Sequence, residues 1–286
     1  MEDKVYLEKL DRMIQLRGLT ERTNRYYCSA TQKLLSWCHE NDIELSEITY
    51  EQAQDYVLYL KNVVGYAPKT VNSNISVIKF VFTYVLHRSM DQYFLPYAKV
   101  DKVEREILSP EEVAKFIRSM PDERGRAVVA LLYCCGLRSC EVAALRYTDI
   151  SRARKTLTVQ TAKNRRGRTI PLNDTALDYL TKYWFACGRP TEWLFPGSKP
   201  GEHISRYMIG KMVKDHLKDL GWEQRKITSH TFRHCLGTHM YEAGCDLLYI
   251  QKFLGHNAIS STLVYITLKP SVLFENPLDT LKGDRK

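Results

Sequence analysis

The chain has 286 residues, 44% of them hydrophobic, and carries 42 Lys+Arg against 33 Asp+Glu, a net charge of +9. That length buries a sizeable core and suits two compact domains better than one; without any run of 18 apolar residues it excludes a transmembrane helix, and the charged start MEDKVYLEKLDRM is no signal peptide. Residues 1–100 balance 12 basic against 12 acidic side chains, so the whole excess lies in residues 101–286, which favours a polyanionic partner for that half.

Residues 1–95 read as helical. Thr20, followed by Thr23, opens a periodic run through Tyr27, Leu34 and Trp37 to about Asn41. Ser46 or Thr49 caps a second helix holding Ala53, Val57 and Leu60. Gly65 breaks the chain, and Pro68 sits in the first turn of a third helix with Val71, Ile75, Ile78, Phe82 and Val85 on one stripe. Pro96 ends this region, and the polar stretch Tyr97–Ile107 reads as a linker. Ser109, Pro110 and Glu112 then form a helix start, with Ser109 as N-cap, Pro110 at the first position and Glu112 closing a capping box. The expected domains are therefore 1–97 and 108–286, joined by 98–107.

In the second domain a helix over Ala127–Cys135 stops near Gly136, and another starts around Arg138. Thr156–Gln160 alternates and Thr169–Leu172 returns, which reads as a small antiparallel hairpin with Lys163, Asn164, Arg165, Arg166 and Gly167 at its tip. From Asp174 onward the pattern is helical, with loops over Gly188–Glu202. The fold class is thus mainly α with a small β region in the second domain. The eight cysteines include no C-x-x-C pair, so free, mostly buried thiols are expected, and neither a zinc site nor a disulfide framework.

Four clusters carry polar side chains suited to chemistry. Arg138 and Glu141 stand three apart and would share a helix face. Lys163 lies at the hairpin tip, within a run of seven basic and no acidic residues that also holds Arg152, Arg154, Lys155, Arg165, Arg166 and Arg168. Ser229 would cap a helix on which His230, Arg233, His234 and Gly237 share one face and Phe232, Leu236 and Met240 another. Gly255 stops a helix, His256 follows, and Asn257 or Ser260 would cap the helix carrying Tyr265. Taken singly, each has an ordinary reading as a surface pair, a solvated charge run or helix packing. His230 and His234 at i and i+4 raise zinc, but Thr231 stands where the zinc helix needs Glu, and Arg233 between them favours an anion.

In order, the clusters read Gly136-Leu137-Arg138-x-x-Glu141, Lys163 eight positions before Pro171-Leu172, His230-x-x-Arg233-His234, Leu254-Gly255-His256, and Tyr265. This series resembles the tyrosine recombinase (phage integrase) family, including the Xer recombinases, over essentially the whole chain. Departures are Cys135 where the family often has Thr, Ala162-Lys163-Asn164 where it usually has Gly-Lys-Gly, and Ile266-Thr267 where it often has Thr-His after the tyrosine. The second leaves Arg165 or Arg166 as competitors of Lys163.

The resemblance implies a helical, SAM-like core-binding domain at 1–97, and at 108–286 a mixed α/β catalytic domain of the DNA breaking-rejoining fold. It implies a site-specific recombinase that cuts and rejoins duplex DNA through a 3′-phosphotyrosine on Tyr265. Arg138 and Arg233 would clamp the phosphate and His230 would take the phenol proton. His256 would add a donor, Lys163 would protonate the leaving 5′ oxygen, and Glu141 would orient Arg138 or a histidine. The other basic residues, Arg152, Arg154, Lys155, Arg165, Arg166 and Arg168, would contact DNA phosphates. No metal or cofactor is called for. The expected partner is a double-stranded recombination site, bound by four protomers that are monomers when free, with accessory proteins unknown, in the cytoplasm at the nucleoid of a bacterium, phage or mobile element. Val272, Leu273, Phe274 and Leu278 would dock on a neighbouring protomer or on their own domain. Competing readings are a catalytically silent DNA-binding protein on the same fold, a type IB topoisomerase-like enzyme, and a zinc hydrolase using His230 and His234.

Overall fold

The computed structural model describes residues 2–90, 93–101, 106–160 and 167–264. The chain divides into two compact units, Met1–Val103 and Glu104–Lys286. Among the described residues the fold is mainly helical with one small antiparallel sheet, as the hydrophobic periodicity leads one to expect.

The first unit holds four helices among its described residues: α1 (Glu2–Leu16), α2 (Glu21–Glu40), α3 (Tyr50–Asn62) and α4 (Pro68–Tyr84). Thr20 caps α2 by accepting from the Thr23 amide. Thr49, rather than Ser46, caps α3, because Gln52 three residues on returns a bond to its amide and completes a capping box. Pro68 starts α4, where its missing N–H costs nothing. Val71, Ile75, Ile78, Phe82 and Val85 are all buried, and they pack with Leu34, Ile48, Ala53 and Tyr56 from the preceding segments. The last tie to this core is Asn72, whose side chain bonds both the amide and the carbonyl of Ala98.

The second unit begins where Arg225 grips Glu106 and Glu112, and the Leu108 amide donates to the Cys235 sulfur. Ala98 is thus held by the first unit, and Glu106 and Leu108 by the second. Ser109, Pro110 and Glu112 form the capping box of α5 (Pro110–Ser119) as read. Next comes α6 (Glu123–Cys134), whose Ala127–Leu132 segment is at most 1% exposed. It lies at the centre of the unit, packed against α5, α8 (Asp174–Ala186) and α10 (Ser229–Glu242). Between α6 and α8 run the short α7 (Ser139–Ala143) and the strands β1 (Ile150–Ser151), β2 (Thr156–Val159) and β3 (Arg168–Pro171), ordered β1-β2-β3. The unit continues with α9 (Arg206–Asp219), α11 (Leu247–Leu254) and α12 (Ser260–Leu263).

Several local details differ from the sequence reading. The sheet has a third strand, β1, too short to show alternation. Arg138 precedes α7 as its N-cap residue and does not lie within the helix. Thr228 caps α10, because its extended backbone lets the Thr231 hydroxyl bond its amide, which puts Ser229 inside the helix. Ile259 precedes α12, so neither Asn257 nor Ser260 is its cap. All eight cysteines are free, but three are buried, three half-buried, and Cys140 and Cys187 exposed.

Candidate active site

Two turns with left-handed glycines build the site. Gly136 (φ 57°) ends α6 and turns the chain so that Arg138 starts α7; a side chain there would strike Leu254 and Leu236. Gly255 (φ 67°) ends α11 and delivers His256. The two turns are stitched together by Arg233 of α10, which is 1% exposed. Its Nη1 donates to the Gly136 carbonyl and its Nη2 to the Leu254 carbonyl at 2.6 Å. Arg138 Nη2 reaches the Gly255 carbonyl at 3.3 Å.

Glu141 is the hub. Its Oε2 accepts from the Arg138 amide at 2.8 Å and its Oε1 from Arg138 Nη1 at 2.9 Å. Arg168, on β3, donates to the same carboxylate through Nη1 at 2.9 Å and Nη2 at 3.0 Å. Arg233 Nη1 lies 3.9 Å from Oε2. Burial alone would raise the Glu141 carboxyl; the Arg168 bonds and charge, followed by those of Arg138, outweigh it and hold the group down at about 2. Three guanidinium groups around one carboxylate leave a local excess of positive charge, suited to an anion.

His256 sits in that field. Burial first, then the charges of Arg233, Arg138, His230 and Arg168, push its imidazole down to about 4, so it is neutral at pH 7. Its Nδ1 pairs at 2.9 Å with the hydroxyl of Thr262, a residue with no exposed surface on α12, and Tyr265 comes directly after the last described residue, Val264. The exposed His230 meets the His234 ring edge-on at 4.6 Å between centroids, consistent with one shared helix face. Arg138, with 37% of its side chain exposed, is the site's guanidinium most open to solvent. The structure therefore brings together Arg138, Glu141, His230, Arg233 and His256. Lys163, Arg165, Arg166, Tyr265 and the segment with Val272, Leu273, Phe274 and Leu278 lie outside the described residues.

Of the remaining basic residues, Arg152 and Arg154 are exposed. Lys155 is exposed but bonds Asp174 at 2.6 Å. Arg168 is turned inward. Among the described residues no three His, Cys, Asp or Glu side chains converge to hold a metal ion, and no helix is long and apolar enough to cross a membrane. Not singled out from the sequence is an exposed stripe on α9: Tyr207, Lys211, Lys214 and Lys218 at helical spacing, opposite the buried Ile209, Val213 and Leu217. That alternation was available in the sequence as a signal.

The model of the phage integrase family matches residues 106–271, which span every element of this site, and the model of the phage integrase N-terminal SAM-like domain matches residues 6–92. The chain belongs to the phage integrase family. Among its relatives, this integrase-family chain is 30% identical to tyrosine recombinase XerA of Pyrococcus furiosus, over 97% of this chain and 96% of that one. It is 28% identical to tyrosine recombinase XerD of Pseudomonas putida, over 90% of each. The fold is shared with the Tn1549 transposon integrase, solved in complex with a circular intermediate DNA, at a TM-score of 0.74 and 16% identity over 97% of this chain and 99% of that one. As a tyrosine recombinase the chain is an enzyme, and the readings as a silent binder, a topoisomerase or a zinc hydrolase are not favoured.

Proposed function

We propose that this recombinase cleaves and rejoins duplex DNA at specific sites through a 3′-phosphotyrosine on Tyr265, with exchange of strands between two paired sites. The observation that carries the proposal is the convergence of Arg138, Arg233 and the neutral His256 about Glu141, at the end of a family pattern that places Tyr265 nine residues after His256.

Phosphoryl transfer is chiefly a matter of positioning and of stabilising charge on the non-bridging oxygens. Arg138 and Arg233 supply permanent charge for the scissile phosphate, and planar guanidinium groups suit two of its oxygens at once. The Tyr265 hydroxyl attacks phosphorus, the new P–O bond forms as the bond to the 5′ oxygen breaks, and the phenol proton passes to His230. Lys163 gives a proton to the departing 5′ oxygen. His256, kept neutral by its burial and by the surrounding cations, donates or accepts a hydrogen bond without adding charge. The phosphotyrosine conserves the bond energy, so a 5′ hydroxyl from another strand reverses the step without ATP. Incoming phosphate offsets the excess charge around Glu141.

Residues 1–97 serve as a core-binding domain, 98–107 as a linker and 108–286 as the catalytic domain. Exposed Arg152 and Arg154, the α9 stripe, and Arg165 and Arg166 are the DNA-phosphate contacts. The partner is a double-stranded recombination site, on which four protomers assemble across two copies; free in solution the chain is a monomer, and it works in the cytoplasm on nucleoid or mobile-element DNA. Relatives with solved DNA complexes support the DNA partner.

The test is a nicked duplex built from inverted repeats of about a dozen bases beside the gene, each repeat about one helical turn long. A covalent protein–DNA band on a denaturing gel is the expected result. Binding without any covalent band would leave only a DNA-binding role.

A further inference from the structure

Arg168 belongs, by sequence, to the basic run that would lie on DNA, yet its side chain is only 13% exposed. Its guanidinium fork grips both oxygens of Glu141, at 2.9 and 3.0 Å, and its Nε donates to the Phe253 carbonyl at 3.1 Å. It also lies against Gly255 so closely that a Cβ there would stand 2.9 Å from Nη1, 3.0 Å from Cδ and 3.1 Å from Cζ. One side chain thus joins β3, α7 and the turn that delivers His256.

Its place in the chain adds a fourth connection. Arg168 opens β3 and pairs with Val159 at the end of β2, so the strut is anchored in the sheet. We propose that Arg168 is a positioning residue of the cleavage reaction, the strut that ties the sheet to Glu141 and the Phe253–Gly255 turn, and through them holds Arg138 and His256. This rests on the catalytic reading of the preceding section and adds to it a residue that never touches DNA. The demand is for arginine: a lysine ammonium has no planar fork to span two carboxylate oxygens while a third donor reaches a carbonyl.

The experiment compares wild type, Arg168→Ala, Arg168→Lys and, as a surface reference, Arg152→Ala. Each is measured for equilibrium binding to the nicked duplex across a salt series and for single-turnover formation of the covalent adduct across pH. A phosphate contact, when removed, lowers the slope of log K against log salt by about one; a positioning residue leaves it unchanged. The expected result is that Arg152→Ala loses about one unit of slope and both Arg168 variants lose none. Adduct formation should fall about 10²-fold in Arg168→Ala, the cost of displacing catalytic groups by about 1 Å, and lysine should restore less than tenfold of it. The acid limb of the rate profile should move to higher pH in both variants, because Glu141 loses its strongest partner.

A slope reduced by about one in Arg168→Ala, or a lysine variant that cleaves at the wild-type rate, would overturn the proposal while leaving the recombinase reading intact. So would a lysine variant that is unfolded at 25 °C, since Arg168 would then be a folding residue only. A wild-type chain that forms no adduct overturns the catalytic reading, and this inference with it.

Discussion

Replacing Glu141 by glutamine keeps the shape of the side chain but takes the only negative charge from among three guanidinium groups named in the site. Its carboxyl titrates at about 2 in the fold against an ordinary 4.5, and its side chain is 7% exposed, so solvent screening is slight. At about 1.36 kcal/mol per pH unit, that drop corresponds to about 3 kcal/mol, in line with the roughly 3–5 kcal/mol lost when one partner leaves a buried ion pair. A group whose folded pKa is depressed contributes stability above its unfolded pKa and loses it as pH falls through the folded one. The contribution should therefore be complete above pH 4.5 and fade toward about pH 2. For a unit of roughly 180 residues, about 2–4 °C per kcal/mol predicts that Glu141→Gln melts about 6–12 °C below wild type at pH 7. Calorimetry of the full chain at several pH values is the assay. A gap smaller than about 2 °C at neutral pH, or one that stays constant as pH is lowered toward 2, would mean that the Glu141 charge does not stabilise the fold in this way.

Other expectations follow from the same geometry. Gly255→Ala forces a Cβ at φ 67° into contact with Arg168, which should destabilise by at least about 1 kcal/mol and slow adduct formation, checked by melting and single-turnover gels. The His256 ring protons should titrate near pH 4 by NMR instead of near 6.5, and Arg138→Met should raise that value by removing one of the charges that depress it; a midpoint of 6.5 in wild type would contradict the field described around Glu141. Lys163→Ala should cleave slowly on ordinary DNA and recover on a duplex with a bridging 5′ thiolate, a leaving group that needs no proton. Failure to recover would transfer the acid role to another group.

Much of the fold was legible because its signals are local. The Ser109–Glu112 capping box and Pro68 each act within one helical turn. The Val71–Val85 stripe repeats over a helix long enough to read by period. The missed details depend on distant partners or on very short segments. β1 has two residues, fewer than one alternation. The choice of Thr228 over Ser229 as cap turns on which backbone is extended, and Ser229 instead bonds Ser139 across 90 residues at 2.8 Å. Arg168 looks like its basic neighbours until Glu141, 27 positions away, turns it inward. The site's identity is legible in order and spacing along the chain, and so is the pairing of Glu141 with Arg138; that Arg168 joins them shows only in the fold.

If Tyr265 is the nucleophile, cleavage joins it to DNA phosphorus. The most direct measurement is to trap the adduct on the nicked duplex, digest both protein and DNA, and sequence the nucleotide-bearing peptide by mass spectrometry. The expected product is a 3′-phosphate on Tyr265, with no trapped species from Tyr265→Phe although that variant still binds the duplex. A nucleotide attached to any other residue, or an adduct that persists in the phenylalanine variant, would contradict it.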